Sequence, residues 1–252
     1  MKRDSLDNWK KFGKTDPYFG VLSDEKYKTE NITEDGLNEF FETGEAYVKE
    51  TAERIEQAFS ISLEQASILD FGCGVGRLAI PFSRVTRKEV VGLDISPEII
   101  EKAKEHALTF ERENVRFQVY DGKNLPELPS FDFVNSYIVL QHIEVDRGLA
   151  LLQQLLDKVK IGGIAHIQVT HSHELPTRSY LNFYLRTKVP AYNFLYSSVK
   201  NREFTFEPVM QMNLYNTDLL KSLFAKYSSD VKEVKTNHGG ILGSFYMIRR
   251  EY

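Results

Sequence analysis

Ser67-Ile68-Leu69-Asp70-Phe71-Gly72-Cys73-Gly74-Val75-Gly76-Arg77 is the stretch whose reading decides the fold. Its apolar opening suits a short strand buried on both faces, and the three alternate glycines suit a tight turn from strand into helix. Such a turn presents backbone amides and a helix N-terminus to a ligand. The missing side chains let a flat ligand approach the main chain.

Downstream, short apolar runs at Val90 to Ile95, Val115 to Tyr120, Phe131 to Leu140 and Ile164 to Thr170 alternate with amphipathic segments at Arg77 to Val85, Pro97 to Phe110 and Val145 to Val159. This alternation predicts an α/β fold with a doubly wound, seven-stranded, mostly parallel sheet. Ser96 is the expected N-cap and Pro97 the first residue of its helix, while Gly162-Gly163 is expected to close a later helix before the fifth strand. Two last strands, Val231 to Thr236 and Gly243 to Arg249, joined by a turn at Gly239-Gly240, are expected as an antiparallel pair at one sheet edge, after a helix that Thr217 caps and that runs to about Tyr227.

Upstream, the first 30 residues show no clear period. Glu34 to Phe59 reads as one or two helices interrupted near Thr43-Gly44, with Val48, Ala52, Ile55 and Phe59 on one face. We therefore expect an N-terminal helical cap over residues 1–65 and a main domain over 66–252. Within the latter, 171–216 forms an insertion after the fifth strand. Its aromatic residues Tyr180, Phe183, Tyr184, Tyr192, Phe194, Tyr196, Phe204 and Phe206 have no clean period and suit either a substrate lid or a satellite core.

A chain of 252 residues, 42% of them hydrophobic, can bury a full core. The longest apolar runs, Tyr137 to Leu140 and Ile164 to Ile167, fall far short of a membrane span, and Met1-Lys2-Arg3-Asp4-Ser5 lacks an apolar signal core. A cytoplasmic protein without a membrane partner is expected. The single cysteine, Cys73, excludes an internal disulfide and a multi-cysteine zinc site. A net charge of -4 argues against a general polyanion-binding surface, so no nucleic acid partner is expected.

Dinucleotide sites favour G-x-G-x-x-G, but the position three after Gly74 is Arg77. Asp94 ends the second strand, where a carboxylate accepts bonds from both hydroxyls of a ribose, and Asp121 ends the third, where it can accept from an adenine amino group. Three acids after three successive strands, with I-L-D-F-G-C-G-V-G-R, give a pattern that resembles the class I S-adenosylmethionine-dependent methyltransferases over Ser67 to Thr170. The resemblance implies the Rossmann-like methyltransferase fold and S-adenosylmethionine as cofactor, leaving S-adenosylhomocysteine as product. It places Asp70 and the Gly72, Cys73, Gly74 and Gly76 loop at the methionine part, Asp94 at the ribose and Asp121 at the adenine; Arg77, Ile95 and Gly122 complete the candidate cofactor set. Asp16-Pro17-Tyr18-Phe19 and Phe40-Phe41-Glu42-Thr43-Gly44-Glu45 resemble the lead-in of bacterial members encoded near sugar-modifying enzymes, which points to a glycan acceptor.

Arg77 is expected in a first helical turn, where the helix dipole disfavours a cation unless a carboxylate accompanies it. His142, at the end of the fourth strand, and His171, after the fifth, are the candidate catalytic bases, against the plainer reading of packed, hydrogen-bonded histidines. Ile138 and Gln141 stand where an E-x-x-E-H metal-binding pattern has acids, so no metal is expected. Asn135-Ser136-Tyr137-Ile138 lacks the D/N-P-P-Y motif used on planar amino groups. Methyl transfer to oxygen of a small-molecule or glycan acceptor is thus the leading expectation. An NAD-dependent oxidoreductase and a non-catalytic S-adenosylmethionine-binding protein are the rivals.

Overall fold

A computed structural model describes residues 5–202, 204 and 209–252. Phe206 lies outside the described residues. Two helices, α1 (Ser5–Thr15) and α2 (Pro17–Val21), open the chain, and the long α3 (Glu34–Phe59) follows. The α/β part then runs β1 (Ile68–Phe71), α4 (Ala79–Val85), β2 (Val90–Asp94), α5 (Pro97–Thr109), β3 (Val115–Val119), β4 (Phe131–Ser136), α6 (Val145–Asp157) and β5 (Val159–His173). A helical hairpin, α7 (Thr177–Lys188) and α8 (Pro190–Asn201), precedes α9 (Thr217–Phe224), β6 (Val231–His238) and β7 (Ile241–Arg249). The seven strands form one sheet in the order β3-β2-β1-β4-β5-β7-β6. The first five are parallel, and β7 pairs antiparallel with both β5 and β6. The expected doubly wound, mostly parallel sheet is therefore present, with its order reversing between β1 and β4.

The period of two along β1 divides the core. Leu69 and Phe71 pack with Leu151 and Leu155 of α6 and with Phe224 of α9. Ile68 packs with Phe40, Val48 and Ile55 of α3 and with Phe82, Ile99 and Ala103 on the opposite face. Burying a sheet on both faces explains why these strands read as continuous apolar runs.

Several boundaries differ from the sequence reading, each for a physical reason. Helix α3 is unbroken through Thr43-Gly44: Gly44 is there because a Cβ would stand 2.0 Å from the Arg77 carbonyl oxygen, so the glycine marks close packing. Its N-cap is Thr33, whose hydroxyl accepts the Gly36 amide at 3.1 Å. Strand β4 stops at Ser136, and a short 3-10 turn at Leu140–His142 replaces the rest of the apolar run. Helix α6 ends at Asp157, well before Gly162-Gly163, which lie inside β5. There Phe131 pairs with Val159 and Phe133 with Ile164, so the chain bulges between, and the Gly162 amide bonds the Arg250 carbonyl at 2.7 Å. Asn216 caps α9, accepting the amides of Asp218 and Leu219, and Thr217 is its first residue. The aperiodic stretch after Thr170 contains the α7–α8 hairpin, and the aperiodic N-terminus contains α1 and α2. Ser96 and Pro97 occupy the expected cap and first helical position of α5.

Tyr215 joins the segment before α9 to the ligand edge. Its hydroxyl donates to the Leu140 carbonyl at 2.8 Å and lies 3.1 Å from that of Ile143. Tyr215→Phe is expected to lower unfolding stability by about 1–2 kcal/mol through the lost buried bond. Urea unfolding checks this, and an unchanged midpoint contradicts it.

Candidate functional site

The glycine loop leaves β1 at the carboxyl edge of the sheet. Gly72 and Gly74 have φ of +74° and +54°, a conformation that side chains disfavour. A Cβ on Gly72 would meet Val139 at 2.2 Å, and one on Gly74 would meet Val21 at 2.4 Å. Two contacts from β2 hold the loop: the Leu93 carbonyl accepts the amides of Gly72 and Cys73 at 2.8 and 2.9 Å, and Asp94 accepts that of Gly74 at 3.2 Å. The other Asp94 oxygen accepts the Ser96 amide at 3.1 Å. Burial raises the Asp94 pKa, and these backbone bonds oppose the rise. Cys73 is buried, and burial pushes its thiol well up, so it is no nucleophile.

Asp70 and Arg77 lie beneath the loop. Asp70 is 1% exposed, and one of its oxygens accepts the Asn135 amide at 2.8 Å while the other has no partner. Burial raises its pKa to about 6, against the lowering effects of Asn135 and of the Arg77 guanidinium. Arg77 lies in the turn that leads into α4, beside its N-terminal end, rather than in the helix's first turn as the sequence suggested. It is nonetheless buried; its guanidinium donates to the Thr43 hydroxyl at 3.3 Å and lies 5.9 Å from the Tyr137 ring, while its Nε has no partner. Burial lowers its pKa, and Tyr137, Tyr47 and Asp70 oppose that. Two oppositely charged buried groups, each with an unsatisfied atom, are the pattern a polar ligand would complete.

Asp94, Arg77, Gly72, Cys73 and Gly74 face a cleft of about 830 Å³, counting its open mouth. Ile95, Tyr120 and Gly122 extend it on one side; Tyr137, Ile138, Val139, His142, Ile143 and Arg147 extend it on the other. Asp70, packed on Asn135, and Gly76, packed on Ile80 and Phe117, are not in its lining, and neither is Asp121. That carboxylate is exposed and caps its own turn, accepting the amides of Lys123 and Asn124 at 2.7 and 2.6 Å, which hold its pKa below the ordinary value. Ile138 adopts φ +57°, an unfavourable conformation for a β-branched residue that turns the chain directly after β4.

His142 is buried at the cleft wall. Since a carbonyl only accepts, its Nδ1–H donates to the Gln211 oxygen at 2.7 Å, leaving the Nε2 lone pair, toward which the Gln141 amide nitrogen lies at 3.3 Å. Burial lowers its pKa to about 4, so the ring is neutral near pH 7. His171 is not brought to the cleft: its Nδ1 bonds the Ser172 hydroxyl at 3.0 Å, and its Nε2 lies 3.5 Å from that of Ser244. A different histidine, His166, is buried in a polar spine with Asn135 and Tyr47. The Tyr47 hydroxyl donates to Asn135 at 2.9 Å, and His166 stacks on Phe245 with ring centroids 4.5 Å apart.

Sequence reasoning missed the roof of the cleft. Leu6 and Trp9 of α1 and Gly20 and Val21 of α2 line it, and Trp9 packs 4.9 Å from the His142 ring. The signal was the spacing of Leu6, Trp9 and Gly13, one helical face that seats against α5 near Ser96. No described residue of 171–216 lines the cleft, although the Gln211 carbonyl holds His142 in place. Among the described residues, no group of three or more His, Cys, Asp or Glu is placed to hold a metal ion.

Residues 68–163 match the family described as methyltransferase domain. Among curated proteins, the chain is 31% identical over 102 residues to ribosomal protein L11 methyltransferase of Ectopseudomonas mendocina, covering 40% of this chain and 33% of that protein. It is 37% identical over 79 residues to the Vibrio parahaemolyticus protein of the same name, covering 31% and 26%. The chain thus spans a third or less of these two relatives. Among solved structures, magnesium protoporphyrin IX methyltransferase of Synechocystis with bound SAH superimposes with a TM-score of 0.63 at 13% identity, covering 98% of this chain and 100% of that one. At that identity the likeness speaks to the fold.

The raised Asp70 pKa has a consequence for stability. Between the ordinary value of 3.8 and about 6, the folded chain binds more protons than the unfolded one, so this group's contribution falls as pH rises through that window. Asp70→Asn keeps an acceptor for Asn135 and removes the buried charge. The ligand-free variant is expected to be more stable than the parent at pH 8, by up to about 3 kcal/mol, with the gain shrinking as pH is lowered toward 4. Urea unfolding across that range checks it, and a variant destabilised equally at every pH contradicts it.

Proposed function

We infer that this chain, a class I S-adenosylmethionine-dependent methyltransferase, transfers a methyl group to an oxygen of a small-molecule or glycan acceptor in the cytoplasm. The observation that carries the reading is a glycine loop clasped by Asp94 over two buried, oppositely charged groups with unsatisfied atoms, at the edge where parallel sheets bind ligands. The residues fit the cofactor. Gly72 and Gly74 leave their backbone uncovered toward the cleft; Arg77 would face the methionyl carboxylate, Asp70 its ammonium group, and Asp94 the ribose hydroxyls. Tyr120 and Gly122 offer a flat wall for adenine, with Asp121 acting by fixing the turn that carries Gly122. When bound, the cofactor supplies an electrophilic sulfonium methyl.

What the chain itself must do is align a nucleophile, exclude water and accommodate a proton. Leu6, Trp9 and Val21 line the cleft with apolar surface, which disfavours water beside the reacting groups. Val139, in the turn after β4, packs against Gly72 of the glycine loop. His142, neutral and with Nε2 as its only acceptor atom, receives the hydrogen of an acceptor hydroxyl there once that hydroxyl displaces the Gln141 amide nitrogen. An enclosed roof suits a small acceptor or a sugar ring rather than a folded macromolecule. Residues 171–216 are an acceptor-side insertion in this reading, anchored to the cleft through Gln211. The NAD reading meets Arg77 where the third glycine of its fingerprint would stand.

In parallel thermal-shift measurements, S-adenosylhomocysteine is expected to raise the melting temperature and NAD to leave it unchanged; stabilisation by NAD alone overturns the reading. His142→Ala is expected to lower turnover about 100-fold while leaving S-adenosylhomocysteine affinity within threefold. Because its pKa lies near 4, the His142-dependent rate should be flat from pH 6 to 8 and fall only under more acidic conditions. The acceptor is found by incubating the protein with S-adenosylmethionine labelled at the methyl group and a cell extract, then identifying the labelled product by mass spectrometry. A labelled protein in place of a small molecule or glycan would exclude the acceptor class.

A further inference from the structure

The α7–α8 hairpin is built inside out. Helix α7 buries none of its residues. In α8 the fully buried residues are polar, Asn193 and Ser197, and Arg186 and Asn182 of α7 bond across to Asn193 and Tyr192 at 3.1 and 2.9 Å. The apolar side chains point the other way. Of the twelve large hydrophobic residues exposed among the described residues, seven fall between Leu181 and Phe204, including Leu195 at 62% and Val199 at 71%. Leu195 and Val199 are one turn apart, as are Leu181 and Tyr184, and Phe204 stacks on Phe194 with ring centroids 6.4 Å apart. Isolated exposed leucines are ordinary; a contiguous set on an element with a polar interior marks a surface that meets an apolar medium.

Charge identifies the medium. Residues 174–207 contain Arg178, Arg186, Lys188, Lys200 and Arg202 against Glu174, Glu203 and Glu207, and none of the acids lies within the hairpin itself, in a chain whose net charge is -4. A second copy apposed on the same face would bring two net-cationic segments together, whereas an anionic bilayer surface complements them. Aliphatic side chains among cations are the composition of segments that lie in a membrane interface, apolar groups below the headgroups and cations among the phosphates. No helix among the described residues is long and apolar enough to cross a membrane, which leaves surface attachment as the mode. The hairpin also occupies a telling place: it leaves the sheet at the carboxyl end of β5 and returns through Val209, whose carbonyl accepts the Asn8 amide at 3.2 Å, and Gln211, which holds His142. Both ends therefore reach the edge that carries the cleft.

We propose that the α7–α8 hairpin docks the protein on anionic membrane surfaces, with Leu181, Tyr184, Phe194, Leu195 and Val199 entering the interface and Arg178, Lys188 and Arg202 meeting lipid phosphates. This attachment stands independently of the methyl-transfer reading.

The test is co-sedimentation of the full chain with vesicles. Binding to phosphatidylcholine vesicles containing 30% phosphatidylglycerol, about that fraction being enough to give a strongly negative surface, is expected to exceed binding to pure phosphatidylcholine at least about tenfold, and to weaken in high salt. The double variant Leu195→Glu with Val199→Glu, both exposed, is expected to lose that binding while keeping the parent's circular dichroism and its thermal response to S-adenosylhomocysteine. If either variant chain fails to fold, Lys188→Glu with Arg202→Glu reads the electrostatic half of the same surface. Equal binding to neutral and anionic vesicles, no binding by the parent, or a parent dimer in light scattering that the same substitutions dissolve would overturn the proposal, the last in favour of a second copy as the occupant.

Discussion

The cleft depends on a clasp between two neighbouring strands. The Leu93 carbonyl takes two amides of the glycine loop, and the Asp94 carboxylate takes a third while its other oxygen starts α5 through Ser96. These bonds fix a turn in which Gly72 and Gly74 have left-handed backbone angles and no room for a side chain, because Val139 and Val21 press on them. The result is a glycine strip, locked between its neighbours, along one wall of the cleft. Everything else about the site is arranged around that strip: α3 approaches so closely that Gly44 touches the Arg77 carbonyl, and α1 and α2 are laid across the top.

Beneath the clasp the structure tolerates an unfavourable arrangement. Asp70, Asn135, Tyr47 and His166 form a polar spine through the sheet where an apolar core would be more stable, and Asp70 and Arg77 each retain an unsatisfied buried atom. Burial works against both charges, raising the pKa of the acid and lowering that of the base. Such costs are characteristic of sites prepared for a ligand, and they are met here by the two large apolar clusters on the faces of the sheet.

Much of this was legible in the sequence because strands buried on both faces leave unbroken apolar runs. The glycine loop was legible because alternate glycines directly after a strand-end acid mark a tight turn from strand into helix. What was obscured followed from tertiary contact. Gly44 looked like a helix break and is a contact point, and Gly162-Gly163 looked like a helix end and is a bulge within β5. Asp121 sits at the expected position in the chain, but its carboxylate caps its own turn. Of the two histidines singled out, His142 reaches the cleft and His171 pairs with serines outside it: β4 lies next to β1 and its glycine loop, whereas β5 lies one strand farther away. The α7–α8 hairpin escaped notice because the usual amphipathic rule was inverted: its polar residues face inward, so no apolar stripe directed at a core was there to be read.

A crystal structure with S-adenosylhomocysteine tests the central claim most directly. The account predicts the ligand in the cleft between the glycine loop and Trp9, its amino-acid end beside Arg77 and its ribose on Asp94. Density elsewhere, or a ligand in the cleft that leaves Asp94 and Arg77 without contact, would contradict it.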